Sequence, residues 1–90
     1  MEKSVEEILE KLENELSDRH QLVLYNDDVN TFEYVIECLV DICDHTEEQA
    51  EQCALTAHLR GKCSVKTGTF SELKPLFDQL TESQLSMTID

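Results

Sequence analysis

Two glycines, one proline and no tryptophan punctuate this 90-residue chain. With glycine only at positions 61 and 68, there is no material for a phosphate-cradling loop, a dinucleotide fingerprint or a nucleophile elbow. Basic residues are scarce as well: 7 Lys and Arg stand against 20 Asp and Glu, a formal net charge of -13. Phosphate backbones and anionic lipid surfaces repel such a chain, so neither nucleic acid nor membrane is an expected partner. A ligand or partner carrying positive charge is the electrostatic complement. Long apolar runs are missing too, since stretches such as Leu22 to Tyr25 are far too short to span a bilayer. The opening Met1-Glu2-Lys3-Ser4-Val5-Glu6-Glu7 has neither a basic n-region nor an apolar h-region. No secretory signal is expected, and the expected location is the cytoplasm.

At 10.4 kDa the chain is long enough for one small domain. A domain of this size buries only ~60% of the surface its unfolded form exposes. A ligand should therefore sit in a surface cleft or at an edge. Cys38, Cys43, Cys53 and Cys63 contain no CxxC pair, and their spacings of five, ten and ten match no standard zinc pattern. Three fall on expected helices beside apolar neighbours, where a free thiol behaves as a small core residue. No metal or other cofactor is expected. A metal or redox site built from Cys38, Cys43, Cys53 and His58 is the alternative. His20 and His45 stand beside polar or charged residues and read as surface histidines.

Periodicity orders the chain. Ser4 and Glu7 have the spacing of a capping box, and Val5, Ile8, Leu9, Leu12 and Leu16 recur at helical spacing, which predicts an amphipathic helix. Gln21 to Tyr25 reads as a strand ended by Asn26-Asp27-Asp28. Asn30 is placed to cap a helix from Thr31 to about Cys43, with Phe32, Val35, Ile36, Leu39 and Val40 as its apolar stripe. Thr46 and Gln49 form a second capping box, opening a helix that runs to Arg60, where Gly61 is a ready left-handed cap. Cys63 to Thr67 and Leu85 to Ile89 read as strands. Ser71 to Leu80 reads as a helix in which Pro75 is tolerable if it lies in the first turn. Strands separated by helices predict an α/β or α+β sandwich with helices on one face.

Charge is unevenly spread. No Lys or Arg occurs between Arg19 and Arg60, while nine acidic residues do, and four of the seven basic residues then fall between Arg60 and Lys74. Within the acidic half, Ala50, Cys53, Ala54, Ala57 and His58 form one helical stripe with an ionisable ring at its end. His58 is either a core histidine satisfied by a backbone group or part of a site. A site needs partners, and Asn26-Asp27-Asp28 offers a carbonyl oxygen and two carboxylates. Alone, such a cluster is an ordinary acidic turn. Facing a neutral His58 it becomes a set of acceptors for an ammonium donor, beside apolar Leu24, Phe32, Val35, Ala54 and Ala57. Protonated, His58 would repel the same group.

Leu-Val-Leu-Tyr-Asn-Asp-Asp (22–28), Phe-Glu-Tyr-Val-Ile (32–36) and Ala-His-Leu-Arg-Gly-Lys (57–62) resemble the ClpS adaptor family, without insertions between Asn26 and His58. The resemblance is good over about residues 20 to 70. It implies a non-enzymatic N-end-rule adaptor, with no catalytic residue, folded like the C-terminal domain of the ribosomal stalk protein. The implied fold is α+β: a three-stranded antiparallel sheet with helices on one face in the order β-α-α-β-α-β, preceded here by the amphipathic helix. Residues 1–18 would be the helical segment and 19–90 the adaptor domain. The resemblance further implies that Asn26, Asp28 and His58 hold the α-amine of a substrate's N-terminus. Leu24, Asn30, Phe32, Val35, Ala54, Ala57 and Leu85 would wall a pocket for its first side chain, Leu, Phe, Tyr or Trp. The implied partners are such substrate proteins and a Clp AAA+ ATPase with its peptidase. Two or three charge-assisted hydrogen bonds and one buried side chain, at ~1.5–3 kcal/mol each, leave about micromolar affinity after association costs.

Departures from the family pattern carry expectations of their own. Phe32 and Ala54 each replace a usual Met, and Phe32 is expected to lean into the space left by Ala54, keeping the pocket selective for flat aromatic or Leu side chains. Ser4 to Leu16 replaces a flexible extension. This helix either packs on the domain, which is the expectation, or docks to the ATPase by its apolar stripe. The alternative to the adaptor as a whole is an acidic interaction domain that keeps the scaffold and ignores free N-termini.

Overall fold

Each helix of the structure, a computed structural model describing residues 2–90, begins at a hydroxyl. The elements run Val5–Ser17 (α1), His20–Tyr25 (β1), Phe32–Cys43 (α2), Glu47–Arg60 (α3), Lys62–Gly68 (β2), Phe70–Glu82 (α4) and Met87–Ile89 (β3). Ser4, Thr31, Thr46 and Thr69 sit in extended backbone, and each accepts from the N–H three residues on. This satisfies one of the orphan donors of the first turn. Thr46 and Gln49 complete the reciprocal capping box, with the Thr46 N–H donating to Gln49 Oε1 at 2.9 Å. At Ser4 and Glu7 just the hydroxyl half forms. Asn30 does not cap α2; Thr31 does, because the Asn30 amide is committed elsewhere. Gly61 ends α3 at φ +93°, a left-handed backbone that is strained for any residue with a side chain although the space around it is open.

The sheet is antiparallel in the order β2-β1-β3, so the first strand in the chain is the central one. Leu22 and Leu24 of β1 face the core, and a bulge opposite Leu22 and Val23 leaves Val65 as the extra residue of β2. Helices α3 and α4 lie against the sheet and α2 packs on both. Leu22, Leu39, Leu73 and Leu80 are fully buried at the centre. Small Ala50, Ala54 and Ala57, buried on α3, allow that helix to approach its neighbours closely. The α+β architecture and the one-sided helix layer are those expected from the sequence.

Two expectations fail. Pro75 is not in the first turn of α4, which starts at Phe70 rather than Ser71. The proline costs the helix the bond to the Ser71 carbonyl, but Ser71 and Pro75 are both exposed, so water can take that carbonyl. The second concerns α1. Val5, Ile8, Leu9 and Leu12 are 47–66% exposed, and among the described residues the helix has no extensive packing against another element. Leu16, the last residue of the expected stripe, has a side chain outside the described ones. The protein is elongated as a result, 53 × 23 × 23 Å, with a radius of gyration of 16.0 Å against ~12 Å for a compact chain of this length.

These placements set two stability expectations, both checked by urea denaturation. Replacing Ile8 and Leu12 together by Ser should leave the unfolding free energy within ~0.5 kcal/mol, whereas Leu80→Ala should cost ~2–5 kcal/mol. Pro75→Ala restores a helix donor and should stabilise by ~1–3 kcal/mol.

Candidate functional site

The end of β1 is bound on both sides. The Tyr25 N–H donates to the Ser86 carbonyl at 2.9 Å, and the Asn26 N–H donates to the Gly61 carbonyl at 2.9 Å. Tyr25 also pairs with Lys62, the first residue of β2. Because Gly61 caps α3, this register carries the acidic loop to the last turn of that helix, where His58 stands. The first turn of α2 closes the third side, with the Phe32 ring edge-on to His58 at a centroid distance of 5.3 Å and 65° between planes.

The loop itself is organised by Asp27. Its Oδ1 accepts from the N–H groups of Val29 and Asn30 at 3.0 and 2.9 Å, and its Oδ2 accepts from Asn30 Nδ2 at 3.0 Å. Asn30 Nδ2 also donates to the Gln84 carbonyl at 2.9 Å, tying the loop to the turn before β3, where Gln84 has φ +74°. Tyr34 adds a bond from its hydroxyl to the Ser83 carbonyl at 2.7 Å. Burial pushes the Asp27 carboxyl up, but the donors from Asn30 and Val29 outweigh it, and the group lies below its usual 3.8.

Between these elements is a cleft of about 290 Å³. Its polar lining includes Asn26, Asp27, Asp28, Asn30 and His58; its apolar lining includes Leu24, Phe32, Val35, Ala54 and Ala57. Two carboxylates and no Lys or Arg line it, so the site is anionic. The side chains of Asn26, Asp28 and His58 are exposed and make no hydrogen bond among the described residues. His58 is thus not a core histidine, and three unengaged polar groups share one surface. Such a set can accept an ammonium's three protons, beside an apolar wall for what the ammonium is attached to.

Nine of the ten residues singled out from sequence come together here. Leu85 does not: it is 4% exposed in the core, where its N–H donates to the Leu80 carbonyl. Phe32 packs edge-on to His58, one turn along α3 from Ala54, and Phe32 and Ala54 both line the cleft. Tyr25 and Thr31 also line the cleft without having been singled out, and Asp27, read as one of two carboxylates offered to a ligand, instead holds the loop. Asp27 had a legible signal, the Asp-x-x-Asn spacing of an Asx turn. The four-residue metal or redox site does not assemble. Cys38 and Cys43 are buried on α2, and among the described residues no group of three metal-binding side chains converges. His45 is no surface residue either, with Nε2 2.8 Å from the Val65 carbonyl.

The depressed Asp27 has a pH signature. A carboxyl lowered in the folded state stabilises above its unfolded value and loses that contribution as pH falls through the folded one. Asp27→Ala should therefore cost about 1 kcal/mol at pH 7 in urea denaturation, and the difference from the parent should shrink as pH is taken well below 3.8.

Comparison with known proteins agrees with the geometry. The family model described as ATP-dependent Clp protease adaptor protein ClpS matches residues 15–88. The chain is similar to ATP-dependent Clp protease adapter protein ClpS 1 of Rhodopseudomonas palustris, 39% identical over 62 residues, 69% of this chain. It spans 58% of that relative, less than two thirds of its length. With the ClpS adapter of Shewanella denitrificans it shares 36% identity over 77 residues, 81% of this chain and 76% of the relative. In fold it is similar to Agrobacterium tumefaciens ClpS2, solved bound to L-phenylalaninamide, with a TM-score of 0.69, 23% identity, and coverage of 81% of this chain and 95% of that one. With the family model matching most of the chain, the chain belongs to the ClpS family, adaptor proteins of the ATP-dependent Clp protease.

Proposed function

We propose that the cleft receives the N-terminus of a substrate protein, recognising its free α-amine and first side chain, and that the protein hands this substrate to a Clp ATPase and its peptidase. The observation that carries the reading is the pairing of unengaged Asn26, Asp28 and His58 with an apolar wall in a cleft holding two carboxylates and no Lys or Arg. Asn26, Asp28 and neutral His58 accept from the ammonium. Leu24, Phe32, Val35, Ala54 and Ala57 surround the side chain, Asn30 holds the rim through Asp27, and Leu85 supports the wall from the core. L-phenylalaninamide, the compound bound to Agrobacterium ClpS2, has these two features, a free α-amine and a bulky apolar side chain. That supports Leu, Phe, Tyr and Trp as the first residues taken. Residues 19–90 act as the adaptor domain, with 1–18 appended, in the cytoplasm. No bond is made or broken, so the role is an adaptor's and not an enzyme's.

Fluorescence anisotropy with one labelled peptide bearing N-terminal Phe, Leu, Tyr or Trp tests this. Binding should be about micromolar and should weaken by ~10-fold or more on acetylating the amine or on His58→Ala. Equal, weak binding to all peptides, acetylated or not, would identify an acidic interaction domain that ignores N-termini. Pocket size gives a separate readout. Ala54→Met should fill the open cleft and weaken N-terminal Trp and Phe more than Leu, measured with the same peptides.

A further inference from the structure

A second cleft, of about 270 Å³, lies between α3 and β2 and shares no lining residue with the first. Cys53 from α3 and Cys63 from β2 both line it, together with His45, Gln49, Thr56 and Val65. Each thiol is half-buried, packed against the core on one side and bordering this cleft on the other. The other two cysteines differ, since Cys38 and Cys43 are 7% and 2% exposed and border no such opening. The Cys63 thiol donates a long contact to the Ser64 carbonyl at 3.5 Å. His45 presents a further clue. Its Nε2 lies 2.8 Å from the Val65 carbonyl, and its Nδ1 is buried without a partner among the described residues.

We propose that Cys53 and Cys63 form a thiol–disulfide site, which reacts with low-molecular-weight disulfides to close a covalent bond between α3 and β2. Cys63, as the thiolate, attacks one sulfur of the small disulfide; the S–S bond breaks and one small thiolate leaves. Cys53 then gives up its proton and attacks the Cys63 sulfur, releasing the second small thiolate. Two electrons and two protons pass from the cysteines to the small disulfide, which leaves as two thiols. The surroundings impose this order. Burial, and after it the neighbouring Cys63 thiol, push Cys53 up to about 12. Capping Cys63 removes the second cause, so Cys53 ionises more readily once its partner has reacted.

The bond would act on the walls of the first cleft. Cys53 precedes Ala54 in α3, and Cys63 stands opposite Leu24 in the β1–β2 register. Ala54 and Leu24 both line the amine cleft, so the crosslink fastens the two elements that carry them.

Incubation of the full chain with oxidised glutathione, followed by acid quench and mass spectrometry, tests the proposal without reference to peptide binding. The expected product has lost two hydrogens and carries no glutathione. Trypsin cuts after Arg60 and Lys62 and a glutamyl endopeptidase after Glu51, so residues 52–60 and 63–66 should appear as one disulfide-linked species. The thermal midpoint should rise on oxidation and return with reductant. Cys53→Ser should instead retain glutathione on Cys63, with no such rise. A wild-type chain that stays reduced, that keeps glutathione on Cys63, or that pairs Cys38 with Cys43 would overturn the proposal.

Discussion

The hydrogen bond from the Asn26 N–H to the Gly61 carbonyl, at 2.9 Å, continues the Tyr25–Lys62 pairing by one residue and sets the geometry of everything around the cleft. It joins the residue after β1 to the residue that caps α3, although 35 positions separate them in the chain. From it follow the approach of the acidic loop to His58 and, through Phe32 against His58, the placing of α2's first turn. A one-residue slip in this pairing would send Leu22 and Leu24 to the other face of the sheet, so the core that holds the register and the site that uses it are defended together.

Burial and polarity are divided sharply. The core is built of leucines and alanines with Cys38, Cys43 and Val65, and among the described residues no polar or charged residue is buried in it. Beside the cleft, polar organisation lies in the loop at residues 26–30 and the turn at 83–85, joined by Asn30 and Tyr34. Asp27 takes most of the donors there, and its neighbours Asn26 and Asp28 are left unengaged. One carboxylate thus holds the loop's shape, and the other is left for a ligand. α1 stands apart from this arrangement, an amphipathic helix whose described apolar residues, Val5, Ile8, Leu9 and Leu12, face solvent.

Much of this was legible in the residues, for reasons that are local. Capping signals are read within four residues, so Thr46 with Gln49 and Gly61 bounded α3 correctly. Helical spacing named the buried faces of α2 and α3, since a 3.6-residue period needs no knowledge of what covers it. Pro75 was misjudged because Thr69 was not recognised as a cap, which moved the start of α4 and put the proline deeper. Asn30 was misjudged because its preferred partners, Asp27 and the Gln84 carbonyl, outcompeted the helix end one residue away.

What the sequence by itself determined is the set of elements, the anionic character of residues 20–59, and the residue types of an amine-accepting cup. These follow from periodicity, composition and short-range hydrogen bonding. The tertiary structure decided which residues face one another. Leu85 went to the core, Phe32 went against His58, and Val5, Ile8, Leu9 and Leu12 of α1 stayed exposed. It also brought Cys53 and Cys63 to one cleft across the α3–β2 turn, although their spacing matched no motif. Such placements depend on strand register and on the space left between packed helices. Both are set by contacts among residues far apart in the chain, which no local pattern records.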